Sequence, residues 1–191
     1  MILRPHFFWG VQNADAPPRM NVFLVGPMGS GKSAVGRQLA QRLALEFIDS
    51  DAEIEARTGV DIAYIFEREG EAGFRSREAE VIDALSRRDR VLVSTGGGAI
   101  LDASTRERLR ARGRVVYLRT SVDQQLARTR RSNDRPLLNN DDPRGTLERL
   151  FEQRAPLYTE VAEIVVDTDG RKVKTVVDQI CRQLGVDGPR P

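Results

Sequence analysis

The fold of this chain is decided by the stretch Gly26-Pro27-Met28-Gly29-Ser30-Gly31-Lys32-Ser33. It follows a short apolar run at residues 21–25 and precedes a helical pattern that begins at Ala34. A strand, a glycine-rich turn that ends in Lys-Ser, and a helix together form the context of a phosphate-binding loop. The glycines permit backbone torsions that other residues disfavour, so the amide groups can point inward and hold anionic oxygens.

Two side chains in this loop carry specific expectations. Lys32 is expected to reach the β- and γ-phosphates of a nucleotide, and the Ser33 hydroxyl is expected to bind Mg²⁺. The alternative is a glycine-rich turn that caps a helix by chance. The strand before the loop and the helix after it favour the phosphate site.

Composition narrows the classes of function. The 191 residues fit one α/β domain, and 40% hydrophobic with 30% charged residues is typical of a soluble globular protein. A formal net charge of +2 gives no general reason to expect nucleic acid as a partner, and no apolar run is long enough to span a membrane. Because Cys181 is the single cysteine, the chain is expected to be cytoplasmic. Because His6 is the single histidine and lies in the N-terminal segment, any proton acceptor is expected to be a carboxylate or another group that is not histidine.

Short apolar runs alternate with longer helical stretches along the chain. This alternation predicts an α/β fold, with a parallel sheet covered by helices on both faces. The predicted strands are 21–25, 46–49, 91–94, 114–118 and 163–167. The predicted helices are 32–43, 52–57, 72–87, 105–111, 122–130, 144–154 and 173–184. The loops after Val25, Asp49 and Ser94 are expected to line one cleft, because ligands bind beyond the carboxyl ends of such strands.

Three segments do not fit the alternating pattern. Residues 1–19 are predicted to be a disordered N-terminal extension, since Gly10 breaks the apolar stretch too early for a signal peptide. Residues 20–185 are expected to form the single domain, and residues 186–191 a tail. Residues 128–142 are rich in Arg, Asn and Asp, and so long a polar loop is either disordered or a lid. Its arginines favour a lid that closes on phosphate.

Two carboxylates follow the second predicted strand in the sequence Asp49-Ser50-Asp51. One interpretation is a helix N-cap, in which Ser50 or Asp51 satisfies free amide groups. In the other, Asp49 joins the Mg²⁺ shell through water while Asp51 binds a substrate hydroxyl and accepts its proton. The two interpretations are compatible.

A second glycine cluster, Gly96-Gly97-Gly98, follows the third predicted strand. Three consecutive glycines lose much conformational entropy on folding, so they indicate backbone that closely approaches a ligand. Arg75 and Glu78 lie in a charged helical stretch, for which an exposed face with an i,i+3 pair is the simplest interpretation. Arg154 is one arginine among many.

Together these motifs resemble the shikimate kinase family. The matching pieces occur in the family's order over about residues 20–185: GPMGSGKS, FIDSD, GEAGFRSRE, STGGGAI, ARGRVVYL, ARTRRSNDRPLL and QRAPLY. The resemblance implies a P-loop kinase fold with a five-stranded parallel sheet and a mobile lid. It also implies a monomer that uses ATP and Mg²⁺ to phosphorylate the 3-hydroxyl of shikimate in aromatic amino acid biosynthesis.

The resemblance also implies roles for single residues. Shikimate binding falls to Asp51, Arg75, Gly96, Gly97, Gly98 and Arg154. ATP binding falls to Gly29, Ser30, Gly31, Lys32, Ser33, Ala34, Arg128, Arg135 and Arg171. Ser33 would bind the metal directly and Asp49 through water. The catalytic residues would be Asp51 as the base, Lys32 and Arg135. Glu78 would hold Arg75 in place, and Phe66 and Phe74 would be either walls of the substrate site or core residues.

Two other functions stay open. A related small-molecule kinase, such as gluconate kinase, also acts on an acidic polyol, although the glycine triplet and the Phe-Arg motif disfavour it. A nucleotide-dependent binding module without catalysis would be marked by loss of Asp51 or of a lid arginine. Neither is lost.

Overall fold

A five-stranded parallel sheet forms the centre of this computed structural model, which describes residues 20–129 and 141–186. The strands lie in the order β2-β3-β1-β4-β5. Their bounds are Val22–Val25 (β1), Glu46–Asp49 (β2), Val91–Ser94 (β3), Arg114–Arg119 (β4) and Ile164–Asp167 (β5). The predicted parallel sheet of five strands is confirmed, and each predicted strand agrees with the observed one to within one residue at either end.

Helices cover both faces of the sheet. They are α1 (Lys32–Leu43), α2 (Ser50–Thr58), α3 (Ile62–Ser86), α4 (Ala103–Arg112), α5 (Val122–Thr129), α6 (Pro143–Val161) and α7 (Val173–Leu184), with a short 3-10 helix at Ala99–Leu101. Successive residues of β1 point to opposite faces, so Leu24 packs with α1 and α7 while Phe23 packs with α3, α4 and α6. Burial on both faces explains why β1 is a continuous apolar run.

The strand register brings several loops to one edge of the sheet. Ser94 at the end of β3 pairs with Asp49 of β2 and with Leu24 of β1, and Val25 pairs with Tyr117 of β4. The chain then crosses from one side of β1 to the other between β3 and β4. A crevice at such a crossing is where open α/β sheets bind ligands. The expected convergence of the loops after Val25, Asp49 and Ser94 is therefore confirmed.

Helix α3 begins ten residues earlier than the predicted start at residue 72. Its N-cap is Asp61, whose carboxylate accepts a hydrogen bond from the amide of Tyr64 at 2.7 Å. Gly70, with φ 68° and ψ −174°, breaks the helix and separates the early turns from the rest. The prediction missed these turns because Gly70 and Gly73 interrupt the helical pattern.

Helix α6 also exceeds its predicted end at residue 154, continuing through Pro156 to Val161. A proline inside a helix removes a backbone hydrogen bond at a cost of roughly 3 kcal/mol. Tyr158 and Val161, which are both almost fully buried in the core, offset this cost. Tertiary packing therefore overrides the local signal.

Some expectations lie outside the described residues. These are the N-terminal extension at residues 1–19, the central part of the expected lid at residues 130–140, and residues 187–191 of the tail. Within residues 20–129 and 141–186, no helix is both long enough and apolar enough to cross a membrane.

Candidate active site

The phosphate-binding loop, residues 26–33, joins β1 to α1. Gly26, Gly29 and Gly31 have φ values of 145°, 74° and 91°, in the region that glycine adopts most readily. Gly31 is the N-cap of α1 and provides no side-chain cap, so amides of the first helical turn remain available to an anion. Lys32 Nζ donates to the carbonyl oxygens of Gly26 at 2.7 Å and Pro27 at 2.9 Å, which folds the ammonium group back over the loop. Ala34 lies exposed in the first turn of α1.

Asp49 connects the phosphate-binding loop to α2. Its Oδ2 accepts a hydrogen bond from Ser33 Oγ at 2.9 Å, and its Oδ1 accepts one from the Asp51 amide at 3.1 Å. Asp49 is therefore the N-cap of α2, and the expectation that Ser50 or Asp51 fills that role is wrong. Ser50 Oγ instead accepts from the Gly96 amide at 3.0 Å, because β2 and β3 end side by side.

Asp51 follows in the first turn of α2 and is partly buried. Burial raises the pKa of its carboxyl group, and the nearby charge of Asp49 raises it further. Lys32 and Arg75 act in the opposite direction but do not cancel the rise. A carboxylate with a raised pKa beside a phosphate-binding loop is a candidate for proton transfer.

Arg75 and Glu78 form an ion pair on α3, with Arg75 Nη1 2.6 Å from Glu78 Oε2. Arg75 Nη2 also lies 3.1 Å from Glu71 Oε1. The expected i,i+3 pair is confirmed, but its interpretation as an exposed face is wrong, since Glu78 is only 2% exposed. The reason is that the second half of α3 packs on the sheet and carries Glu78 inward. Burial raises the pKa of Glu78, against the lowering effect of Arg75.

The glycine triplet, Gly96, Gly97 and Gly98, lies at the centre of these groups. A β-carbon on Gly96 would lie 2.8 Å from Asp51 Oδ1 and would collide with Glu78 Oε1. A β-carbon on Gly98 would collide with the guanidinium group of Arg75. The absence of side chains at Gly96 and Gly98 therefore leaves the space in which Asp51, Arg75 and Glu78 come together, which is a physical reason for glycine at these two positions.

Arg154 reaches the same place from α6. It is 6% exposed, and its Nε has no hydrogen-bond partner among residues 20–129 and 141–186. Its charge lowers the pKa of Glu78, which places the guanidinium group within electrostatic reach of that carboxyl group. A buried guanidinium nitrogen without a partner suits an anionic ligand.

Tyr158 was missed by the sequence reasoning. It lies one helical turn after Arg154, and its hydroxyl donates a hydrogen bond to the carbonyl oxygen of Gly97. The only signal was its position in the Arg154–Tyr158 stretch, to which no separate role was assigned.

Of the remaining nucleotide-site residues, Arg128 lies at the phosphate-binding loop. Its Nη1 donates to the Gly29 carbonyl at 2.8 Å, and its Nη2 donates to the Thr168 carbonyl at 3.1 Å. Arg171, on the loop after β5, is exposed and donates to Gln179 Oε1, so its role in nucleotide binding stays a prediction. Arg135 lies outside the described residues.

Phe66 and Phe74 pack against each other, with ring centroids 4.7 Å apart. Phe74 is 5% exposed and belongs to the core, while Phe66 is partly buried at its edge. The core interpretation is confirmed for Phe74, and a role for either ring as a wall of the substrate site stays a prediction.

The phosphate-binding loop lies at the carboxyl edge of a parallel sheet, and its Ser33 donates to the carboxylate of Asp49. A cluster of acidic and basic side chains lies beside it. These features define the class of P-loop phosphotransferases. The particular family follows from comparison with known proteins. The family model described as shikimate kinase matches residues 28–185. The chain belongs to the shikimate kinase family, and it is an enzyme.

Relatives support the family over nearly the whole chain. A shikimate kinase from Shewanella amazonensis is 56% identical over 167 residues, which are 87% of this chain and 98% of that protein. The structure of a shikimate kinase from Acinetobacter baumannii in complex with shikimate has a TM-score of 0.86 and 45% identity, covering 91% of this chain and 97% of that one. A gluconokinase from Sinorhizobium meliloti has a TM-score of 0.54 and 20% identity, covering 87% of this chain and 92% of that one, and that likeness shows the fold alone.

Proposed function

We propose that this enzyme transfers the γ-phosphoryl group of ATP to the 3-hydroxyl of shikimate, giving shikimate 3-phosphate and ADP in aromatic amino acid biosynthesis. The observation that carries the proposal is the meeting of Asp51, Arg75 and Glu78 at the glycine triplet, next to the phosphate-binding loop. The cluster thus provides a guanidinium group that can bind the carboxylate of shikimate and a carboxylate that can accept a proton from its hydroxyl. Both lie beside the loop that is proposed to bind ATP.

Arg75 and Arg154 are proposed to bind the shikimate carboxylate. Arg75 is held by Glu78 at 2.6 Å and by Glu71 at 3.1 Å, so its guanidinium group is oriented before the acceptor arrives. The unpartnered Nε of the buried Arg154 supports a charge-assisted bond to the same carboxylate. Glu78 acts through Arg75 and is a positioning residue.

Asp51 is proposed to bind the 3-hydroxyl and to accept its proton as the oxygen attacks the γ-phosphorus. Burial raises the pKa of Asp51 above that of an ordinary aspartate, which makes its carboxylate a stronger base. Lys32 and Arg75 counteract part of this rise. Phosphoryl transfer needs little covalent catalysis from the protein. Positioning of the reactants and neutralisation of phosphate charge therefore supply most of the rate enhancement.

The ATP phosphates are proposed to lie on the amides of Gly29, Ser30 and Gly31, with Lys32 turning from the loop carbonyls to the β- and γ-phosphates. Arg128 and Arg171 are proposed to contact the rest of the nucleotide. Arg135 is proposed to come from the lid and neutralise charge on the transferred group.

Ser33 and Asp49 fit a Mg²⁺ ion. They provide hydroxyl and carboxylate oxygens 2.9 Å apart, and Mg²⁺ prefers oxygen ligands and retains waters. No group of three or more His, Cys, Asp or Glu side chains in the described ranges could hold a metal ion by itself, so phosphate oxygens would have to complete the shell. When bound, the ion would neutralise charge on the β- and γ-phosphates.

Release of ADP, measured with shikimate and gluconate side by side, tests the function. We expect turnover with shikimate, little with gluconate, and little ATP hydrolysis without an acceptor. Faster turnover with gluconate would instead support the related sugar-acid kinase, and ATP binding without turnover on either substrate would support a binding module.

Two variants test the residue assignments. Asp51→Asn is expected to lose turnover while it binds ATP nearly as the wild type does, and retained kinase activity would exclude Asp51 as the base. Arg75→Ala is expected to raise the shikimate KM at least tenfold, on the order of one lost charge-assisted pair. The matched control is Arg57→Ala, which removes an exposed arginine paired with Glu53 on α2 and should leave both KM values unchanged.

We further propose that the enzyme acts as a monomer in the cytoplasm. Support comes from the single chain, which supplies Asp51, Arg75 and Arg154 to one site, and from the single cysteine, which is buried. Light scattering that gives a dimer mass at assay concentrations would contradict the monomer.

A further inference from the structure

Tyr158 touches the glycine triplet through one well-defined contact. Its side chain is 1% exposed, and its hydroxyl donates to the Gly97 carbonyl. Burial raises the pKa of this hydroxyl, so it stays protonated and remains a donor at any pH at which the protein is assayed. Gly97 is the one member of the triplet that is only partly buried, which places it at the surface of the cleft.

The Tyr158 ring has little freedom to turn away from Gly97. It stacks on the ring of Tyr117 from β4, with centroids 4.9 Å apart and an interplanar angle of 24°. Both rings belong to the core cluster on one face of the sheet. The hydroxyl is therefore fixed in direction by packing as well as by its hydrogen bond.

Most of the other backbone amide and carbonyl groups of the glycine triplet are also hydrogen-bonded within the protein. The Gly96 carbonyl accepts from the Ala99 amide at 3.2 Å, and the Gly98 carbonyl accepts from the Leu101 amide at 2.9 Å. The Gly96 amide donates to Ser50 Oγ. With the Gly97 carbonyl bound to Tyr158, the amides of Gly97 and Gly98 are the groups of the triplet that have no hydrogen bond to any described residue.

Peptide geometry links these observations. The carbonyl and the amide of one trans peptide point in opposite directions, so a bond that fixes the Gly97 carbonyl also fixes the direction of the Gly98 amide. Gly98 lies against the Arg75 guanidinium group, and a β-carbon on Gly97 would lie 3.6 Å from the Gly26 carbonyl oxygen of the phosphate-binding loop. The peptide therefore lies between the proposed carboxylate clamp and the proposed phosphate site.

We propose that Tyr158 is a positioning residue, which holds the Gly97–Gly98 peptide so that the free Gly98 amide faces the acceptor. This inference rests on the proposed function, because the acceptor it concerns is shikimate. Glycine has more backbone freedom than any other residue, so without the Tyr158 bond this peptide would turn among several orientations. Part of the binding free energy of the acceptor would then be spent on ordering it.

The test compares two single-oxygen deletions in the same stacked pair. Tyr158→Phe keeps the buried ring and removes the bond to Gly97. Because the hydroxyl also interacts with Arg154, the substitution is made in the wild-type and in the Arg154→Ala background, and a rise in the shikimate KM that persists in the second background cannot act through Arg154. Tyr117→Phe removes a buried hydroxyl that has no hydrogen-bond partner in the described part of the chain, and it is the matched control. Steady-state KM values for shikimate and ATP and the melting temperature are measured for both variants and the wild type.

Tyr158→Phe is expected to raise the shikimate KM about tenfold, as expected for one lost buried hydrogen bond, while the ATP KM stays within about twofold. Tyr117→Phe is expected to leave both KM values within about twofold. A purely structural role for Tyr158 would instead lower the melting temperature without separating the two KM values. An unchanged shikimate KM in Tyr158→Phe, an equal rise in Tyr117→Phe, or an equal rise for ATP would each overturn the inference. If the wild type turns over shikimate and one of these three contradicting results is found, the inference about Tyr158 fails and the proposed function stands. If the wild type does not turn over shikimate, both proposals fail.

Discussion

Asp51 and Glu78 bring two carboxyl groups, one partly buried and one buried, to the same glycine. A β-carbon on Gly96 would lie 2.8 Å from Asp51 Oδ1 and would overlap Glu78 Oε1. Burial raises the pKa of both groups, and for Glu78 the charge of Asp51 adds to the effect. The protein therefore holds two partly desolvated acids close together, which costs stability when both are ionised.

Asp51→Asn is expected to stabilise the protein without substrates at pH 7 while it removes activity. The folded-state pKa of Asp51 is raised above the unfolded value, so its contribution to stability is present below the unfolded pKa and is lost as the pH rises through the folded pKa. Asparagine does not titrate, so the melting temperature of the variant should exceed that of the wild type at pH 7 and the difference should shrink toward pH 4.

Asp61→Asn is the control for this comparison. Asp61 caps α3 at an exposed position, and asparagine caps helices about as well as aspartate does. Its melting temperature should follow that of the wild type across the same pH range. A lower melting temperature for Asp51→Asn at pH 7 would show that ionised Asp51 stabilises the fold.

Gly98→Ala is expected to act through Arg75. The added methyl group would overlap the guanidinium group, which is the far end of a flexible side chain and is 22% exposed, so it can swing outward. This movement leaves the buried Glu78 without its ion partner, so we also expect a lower melting temperature. We expect the shikimate KM to rise about tenfold, as for one lost charge-assisted bond, with an unchanged ATP KM.

A double-mutant cycle with Arg75→Ala separates this mechanism from others. If Gly98→Ala only displaces Arg75, it should add almost nothing in the Arg75→Ala background. Additive effects of the two substitutions on the shikimate KM would contradict the mechanism.

Arg128 is expected to affect the nucleotide alone. It joins the Gly29 carbonyl of the phosphate-binding loop to the Thr168 carbonyl after β5. Arg128→Ala should raise the ATP KM about tenfold, through one lost charged hydrogen-bonding group, and leave the shikimate KM within about twofold. Arg144→Ala removes an exposed arginine that pairs with Asp123 on the same helix as Arg128, and it should change neither KM. Equal effects of the two variants would argue for a general loss of surface charge.

Gly70→Ala is expected to destabilise the fold more than Gly59→Ala does. Gly70 has φ 68° and ψ −174°, a region essentially restricted to glycine, so alanine there should cost on the order of 1–3 kcal/mol. Gly59, the C-cap of α2 with φ 72° and ψ 9°, has the milder left-handed conformation, for which about 1 kcal/mol is expected. A β-carbon on either glycine would meet no described atom within 4 Å, so steric contacts do not differ between them. The urea unfolding midpoints of the two variants, compared at constant m-value, measure the two losses of stability. Equal midpoints would contradict the expectation that Gly70 is the more restricted position.

The sequence predicted the repeating part of the fold well. Strand positions follow from short apolar runs bounded by turns, and the ends of α1 and α7 agree with the predicted ones residue for residue. The two poorly predicted helices, α3 and α6, contain Gly70 and Pro156, which oppose helix formation locally. In α3 Gly70 does break the helix, and the prediction missed the helical turns before it. In α6 the packing of Tyr158 in the core outweighs the local effect of Pro156, and a local pattern contains no information about such a contact.

The sequence by itself determined the donor half of the site, which is the loop that binds the phosphates of ATP; the acceptor half is the cluster proposed to bind shikimate. Residues 26–33 are contiguous, and the chemistry of a phosphate-binding loop depends on backbone and side chains within one turn. It also determined the family, through motifs whose residue types and order are distinctive. Only the tertiary structure decided how the acceptor half is assembled. Asp49, rather than Ser50 or Asp51, caps α2, Glu78 is buried against Gly96, and Tyr158 holds the Gly97 carbonyl. The contacts of Glu78 and Tyr158 join residues far apart in the chain, and the packing of α3 and α6 against the sheet sets them. The cap by Asp49 is a local contact, but it depends on the residue at which β2 ends and α2 begins, and β2 is fixed by its pairing with β3.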